Sequence, residues 1–246
     1  MNRFLPVSAS SHAPAIDAML SHVHWMVIGL FAGWALYYVY VLIRYRSGRQ
    51  PHARREGTHG RLAMFVFAGV IVAEATLLIG SALPLWFERT SASREPGTPV
   101  VMRVVAEQFG WNVHYPGADG QFGETSLKLV ASDNPIGLDR ASRFGQDDLV
   151  MLAEMHVPIG RPVIVELSSK DVVHSFGVPA MRVKQDVIPG LRTPVWFTPT
   201  ATGQFEIVCS QLCGVGHHRM RAVITVESET DFQKFLTDEA RLQIRK

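Results

Sequence analysis

Both cysteines of the chain fall in one short stretch, CSQLCGVGHHRM, residues 209–220. Cys209 and Cys213 are four apart, His217 lies four further on, and Met220 three beyond that. Two thiols, an imidazole and a thioether on one tight loop are soft-to-borderline donors, a set that favours copper. One thiolate with two imidazoles and a weak thioether makes a mononuclear blue-copper site. A second thiolate at this spacing can instead bridge a pair of copper ions. Such a pair needs another imidazole from elsewhere, and the candidate is His174 in SSKDVVHSFGVPAM, at an expected strand end before Pro179. One unpaired electron shared over two ions leaves bond lengths little changed on reduction, so the site can pass electrons quickly. Two other chemistries fit part of the pattern: a Cys209–Cys213 disulfide in an oxidising compartment, or zinc held by two Cys and two His. Neither accounts for Met220 together with His174. His218 reads as a surface or supporting residue, and His12, His22, His24, His52, His59, His114 and His156 lack a comparable cluster.

The loop follows one β-rich run (FEIV) and precedes another (AVITV), so it joins two adjacent strands. From Val100 onward the texture is short β-rich runs with turn signals between them: VVMRVVAEQF, SLKLVAS, RPVIVELSS, PVWFTPT, FEIVCS and AVITVES. Strands so punctuated, without a helical period, predict a Greek-key sandwich over residues 100–228. Residues 131–150 read as a solvated, charged insertion with four Asp and two Arg, able at most to help dock a basic partner. The tail, residues 229–246, offers Thr230 and Gln233 as a capping box and then Phe232, Phe235, Leu236 and Leu242, which predicts a terminal helix on the sandwich.

The 24 basic and 22 acidic side chains nearly cancel, so no global charge points to nucleic acid. Charged residues make up 19% of the chain, below the ~25% of an average soluble domain, and mean hydropathy is +0.11. These values exclude a disordered or collagen-like chain and point to lipid contact. Two apolar runs, residues 25–43 and 62–87, are each long enough to span a ~30 Å hydrocarbon core. Between them stand six arginines (44, 46, 49, 54, 55 and 61) against the single acid Glu56, which holds this loop on the cytoplasmic side. The N-terminus and the β domain are then expected outside, in the periplasm of a bacterium or the intermembrane space of a mitochondrion. Trp25, Trp86 and Tyr45 fall at the span ends as interfacial aromatics do. The first 20 residues carry no apolar core of signal-peptide length, so the first span is expected to act as its own export signal. Residues 1–87 thus form an N-terminal tail and a membrane hairpin, and residues 88–99 a polar linker. Glu74 lies near mid-membrane, where a carboxylate facing lipid costs several kcal/mol. It reads either as a proton-path residue or as a protonated Glu bonded to a neighbouring helix.

With these pieces together the chain resembles subunit II of the haem–copper cytochrome c oxidases over nearly its whole length. The resemblance rests on the spacing C-x-x-x-C-x-x-x-H-x-x-M, on the run DVVHSF that starts at Asp171, and on Lys184, Asp186, Pro189 and Gly190 as K-x-D-x-x-P-G. It implies a two-helix transmembrane hairpin, then an all-β cupredoxin-like Greek-key sandwich with a C-terminal helix, carrying the dinuclear copper centre CuA. By that similarity Cys209 and Cys213 bridge two coppers, and His174 and His217 each cap one. Met220 and the backbone carbonyl of Gln211 are then the weak ligands.

Two departures from the family pattern stand out. The family usually has Glu at the position of Gln211, whose side chain reaches a magnesium at the subunit I boundary. An amide binds a hard dication less well, which argues against that magnesium here. In EQFGWNVHYPG, Phe109 stands where the family's first Trp receives electrons, and Trp111 matches a later aromatic. Phe109, Trp111 and Asp171 are the candidates for the face where a donor docks. Glu74 sits too deep to match the family's proton-channel Glu.

The resemblance implies a respiratory role within an oxidoreductase complex. Electrons come from a c-type cytochrome or another small exported donor and pass to haem in subunit I, where oxygen is reduced to water, with subunit III as a further partner. The chain itself has no C-x-x-C-H haem motif, so it carries electron transfer only. Rival readings are the CuA subunit of a nitric oxide reductase of the same superfamily, or a membrane-tethered copper carrier or assembly factor. The Arg-rich composition without a transit peptide points to a bacterial inner membrane.

Overall fold

The computed structural model of the chain describes residues 5–46, 48, 60–90 and 97–244. They form two compact units, a helical one within residues 15–90 and a β unit made of residues 5–14 with 97–244. The basic loop expected to set orientation lies largely outside the described residues, as does most of the expected linker.

In the helical unit, α1 (Ala13–Arg44) is one helix of 32 residues. It begins well before the expected span because residues 13–24 contain no breaker beyond Pro14, which the first turn of a helix accepts. The second rod is α2 (Arg61–Leu77), a π-helical turn (Leu78–Ala82) and α3 (Leu83–Thr90), so helix runs three residues into the stretch read as linker. Pro84 explains the π turn. Its ring has no N–H and crowds the carbonyl one turn back, and the wider turn relieves this, with the Leu83 N–H bonding Leu78 O. Both rods are long and apolar enough to cross a membrane, and none of the most apolar stretch of either is buried within the chain. Glu74 is exposed on α2, about 20 Å along the helix from Arg61.

The β unit is a cupredoxin-like sandwich of two five-stranded sheets, ordered β3-β2-β1-β5-β8 and β4-β10-β9-β6-β7. The first holds β1 (Val100–Glu107), β2 (Gly110–Tyr115), β3 (Leu149–Leu152), β5 (Val163–Ser169) and β8 (Thr193–Phe197). The second holds β4 (Glu154–Pro158), β6 (His174–Val178), β7 (Val183–Val187), β9 (Gly203–Cys209) and β10 (Arg221–Glu227). The pairs β1–β5 and β4–β10 are parallel and the rest antiparallel. Strand alternation sends Met102, Val104, Ala106, Val163, Val165 and Leu167 inward from one sheet and Met155, Val157, Ile207, Ile224 and Val226 from the other. The run SLKLVAS is not a strand: Leu127–Leu129 form an exposed 3-10 turn capped by Ser126, since no neighbouring strand pairs with it.

Three further features differ from the sequence reading. Residues 5–14 lie on the β unit rather than with the hairpin. Ala9 N–H donates to Ala180 O at 2.9 Å, Thr200 N–H to Ala9 O at 2.9 Å, and the Ser10 hydroxyl to Met181 O at 2.7 Å. The cap of α4 (Glu229–Ile244) is Ser228, not Thr230, because the Asp231 N–H donates to Ser228 Oγ at 3.1 Å. Ser228-x-x-Asp231 is itself a capping box. Phe232 is buried and Phe235 and Leu236 partly so, while Leu242 stays exposed.

The segment 131–150 is not merely solvated either. Ile136 and Leu138 are buried, and Asp148 is a fully buried acceptor for His114 Nε2 at 2.6 Å and for the N–H groups of Gly123 at 2.7 Å and Gly117 at 3.0 Å. This carboxylate ties the long β2–β3 connection to the sandwich. Replacing it strands two buried donors and a partly buried one, so Asp148→Ala should destabilise the β unit by about 3–5 kcal/mol. Chemical denaturation should show a lower midpoint for the variant.

Candidate metal centre

The sheet register delivers the donors to one end of the second sheet. His174 opens β6 and Cys209 closes β9, and the two strands pair antiparallel with Phe176 opposite Cys209. Ser210 N–H donates to Ser175 O at 2.9 Å, which fixes the loop's first residue beside His174. Cys209 N–H donates to Met220 O at 3.2 Å, so the loop closes on itself just before β10. Within it, His217–Arg219 form a 3-10 turn, and His217 N–H donates to Gly214 O at 3.1 Å.

The side chains converge. Cys209 Sγ and Cys213 Sγ are 3.8 Å apart and both thiols are free, so they form no disulfide. His174 Nδ1 lies 3.1 Å from Met220 Sδ and 3.9 Å from Cys209 Sγ. Cys213 Sγ lies 3.6 Å from His217 Nδ1 and 3.8 Å from Met220 Sδ, and Cys209 Sγ is 3.2 Å from the carbonyl of Gln211. Among the described residues, His174, Cys209 and Cys213 form a buried group whose donor atoms lie within 4.8 Å of one another. Donors ~2.0–2.3 Å from a shared ion stand at about this separation from each other, so the set fits a soft metal. His174 is 0% exposed, Met220 1%, Cys213 5% and Cys209 8%. His217 is half-buried, while the side chains of Gln211 and His218 are exposed.

Electrostatics favour a cation. Burial, the neighbouring Cys209 thiol and its charge push the Cys213 thiol up to about 11. Two thiolates this close and this dry need a positive ion to replace the departing protons. On the other side of His174, Nε2 bonds Asp171 Oδ1 at 2.9 Å. An acceptor there keeps the ring proton on Nε2 and turns the Nδ1 lone pair toward the sulfurs. Burial works to raise the Asp171 carboxyl, but the hydrogen bonds from His174 and from the N–H groups of Gln108 and Val172 outweigh it and hold the group below the usual carboxylate range.

The aromatic candidates separate. Trp111 is fully buried, with its ring edge-on to His174 at 6.1 Å and to Phe176 at 5.6 Å. Phe109 is 38% exposed and lies over the glycines of the loop, where a Cβ on Gly216 would come within 2.4 Å of its ring. Sequence reasoning missed Gln108, between them and the loop: its Nε2 donates to Cys213 O, and its N–H to Asp171 Oδ2, both at 2.6 Å. Its only signal was adjacency to Phe109. Glu74 belongs to the helical unit, outside this group.

Residues 100–227 match the profile of the family described as cytochrome c oxidase subunit II, periplasmic domain. The chain is 32% identical over 222 residues to an alternative cytochrome c oxidase subunit 2 from Bradyrhizobium diazoefficiens, covering 90% of this chain and 79% of that one. This chain belongs to the subunit II family. A cytochrome c oxidase subunit 2 from Cereibacter sphaeroides is 28% identical over 239 residues, covering 91% of this chain and 78% of the relative. Among solved structures, the periplasmic domain of a cytochrome oxidase subunit II from Bradyrhizobium japonicum aligns with 28% identity and a TM-score of 0.44, over 59% of this chain and 96% of that one. Membership of the subunit II family makes the two apolar rods membrane-spanning helices and the sandwich an exported domain.

The raised Cys213 thiol gives a test in the metal-free chain. Only the thiolate alkylates, so modification of Cys213 by iodoacetamide should stay slow at neutral pH and accelerate as pH climbs toward about 11. Peptide mapping across a pH series reads it, and fast modification at pH 7 would contradict this environment.

Proposed function

We propose that this chain is the electron-accepting subunit of a respiratory haem–copper oxidase and holds a dinuclear copper centre. The observation that carries the proposal is the convergence of both thiols, two imidazoles, one thioether and the Gln211 carbonyl in one pocket. Cys209 and Cys213 would hold both ions between them, His174 and His217 would each serve one, and Met220 and the Gln211 carbonyl would be the weak ligands. Bound there, a copper pair would supply one-electron storage.

The protein's part is to keep those donors fixed and dry. His174 is held from behind by Asp171, the thiols are shielded, and the loop is closed by the Cys209–Met220 backbone bond. Preset ligands leave little to rearrange when an electron arrives or departs, which is what fast transfer requires. The burial of four donor side chains supports electron transfer over a copper carrier, which needs exposed and exchangeable ligands. Electrons come from a c-type cytochrome or similar small exported donor at the face carrying Phe109, with Trp111 behind His174. They leave for haem in subunit I, where oxygen becomes water, and subunit III completes the assembly. The membrane is a bacterial inner membrane with the copper domain on its periplasmic side. The exposed amide of Gln211 offers a poor site for magnesium.

Copper reconstitution of the detergent-solubilised chain tests the centre. The expected product is a purple, mixed-valence species with two coppers per chain, absent in Cys209→Ser, and a blue one-copper site would overturn the dinuclear assignment. Met220→Leu should keep both coppers but shift the reduction potential, because a weak thioether ligand would tune potential more than affinity. An unchanged potential in that variant would remove Met220 from the ligand set. His217→Ala should lose copper outright.

A further inference from the structure

All but one of the converging side chains stand on a single loop, and the exception, His174, comes from another strand. Sheet pairing brings the two backbones together, yet it does not fix the imidazole against the Cys213 sulfur. A chain of three hydrogen bonds through the β1–β2 turn does. His174 Nε2 bonds Asp171 Oδ1 at 2.9 Å, and Gln108 N–H donates to Asp171 Oδ2 at 2.6 Å. Gln108 Nε2 then donates to Cys213 O at 2.6 Å. The loop is shaped to receive this turn. Gly214 has φ +141°, a conformation that side chains rarely adopt, and a Cβ there would come within 2.7 Å of Gln108 Nε2. Gly216 leaves room for the Phe109 ring in the same way.

We infer that Gln108 is a positioning residue of the metal centre, clamping the Cys213 side of the loop to His174 through Asp171. The inference rests on the dinuclear reading above but concerns a residue outside the ligand set. Among the described residues, its side chain is the only one in the β1–β2 turn that hydrogen-bonds to the backbone of a candidate ligand residue, and it does so at the Cys213 carbonyl rather than at a sulfur or an imidazole. Gln108 therefore acts by holding Cys213 and His174 in one frame, so that the two sides of the centre stay equivalent. Outer partners of this sort are typically worth about 10-fold or more in metal affinity.

The test uses the full chain in detergent with copper and two variants of equal length. Gln108→Met fills the same space without a donor, and Gln108→Glu points an acceptor at the Cys213 carbonyl. Both should still bind two coppers. Release to a chelator should be slowest in the parent, about 10-fold faster in Gln108→Met, and faster again in Gln108→Glu. The copper hyperfine pattern of the oxidised centre should turn from equal sharing over two nuclei to unequal sharing, which a loss of general stability would not produce. A parent-like pattern and release rate in Gln108→Met overturn the clamp, whatever happens to melting temperature. Should the parent itself take up no copper pair, the dinuclear reading fails separately. Hydrogen exchange in the metal-free chain then judges the clamp alone: faster exchange at residues 213–216 in Gln108→Met upholds it, and unchanged exchange refutes it.

Discussion

Two sulfur atoms 3.8 Å apart and nearly out of reach of water cannot both carry negative charge unless a cation sits with them. That constraint organises the exported unit. Burial disfavours the Cys213 thiolate and the neighbouring Cys209 sulfur disfavours it again, while the other converging groups are imidazoles, a thioether and a peptide carbonyl. The arrangement is poor for free thiols and good for soft ions. Without such ions the group would be an unrewarded concentration of polar atoms at the edge of a hydrophobic core.

The sandwich answers this constraint by register. Antiparallel pairing of β6 with β9 and of β9 with β10 sets Cys209 beside both Phe176 and Met220, so one sheet end gathers donors from separate hairpins. The first sheet contributes no ligand, yet its β1–β2 turn lies over the loop and its Trp111 backs the His174 ring. Core packing lies beneath the turn and the loop, and the lack of a Cβ at Gly214 and Gly216 lets them approach.

The candidate loop was easy to pick out in the sequence because its donor side chains are local: Cys209, Cys213, His217 and Met220 lie within one turn-rich segment. His174 was the candidate from elsewhere because it stands at an expected strand end before Pro179, and the structure places its ring beside the Cys209 sulfur. The helical rods were legible because hydropathy over some twenty residues is also a local property, though their ends ran further, since nothing at residues 13–24 or 88–90 breaks a helix. What stayed hidden depends on partners far along the chain. The parallel pairing of β1 with β5, the clasp of Asp148 on His114, and the attachment of residues 5–14 to Ala180 and Thr200 all join segments with no shared pattern. Gln108 was invisible for the same reason, as its partners are 63 and 105 residues away. The misplaced cap at Thr230 is different in kind: two overlapping boxes compete there, and the upstream Ser228 wins by bonding Asp231 from both its hydroxyl and its acceptor side.

The separation of His174 from Cys209 by 35 residues has a consequence for biogenesis. A newly translocated chain presents the sulfur-bearing hairpin and the distant imidazole as unconnected pieces, and they meet only when the second sheet zips up. An ion captured earlier would rest on a floppy thiol pair open to exchange and oxidation. The complete donor set therefore exists only once β6 has paired with β9.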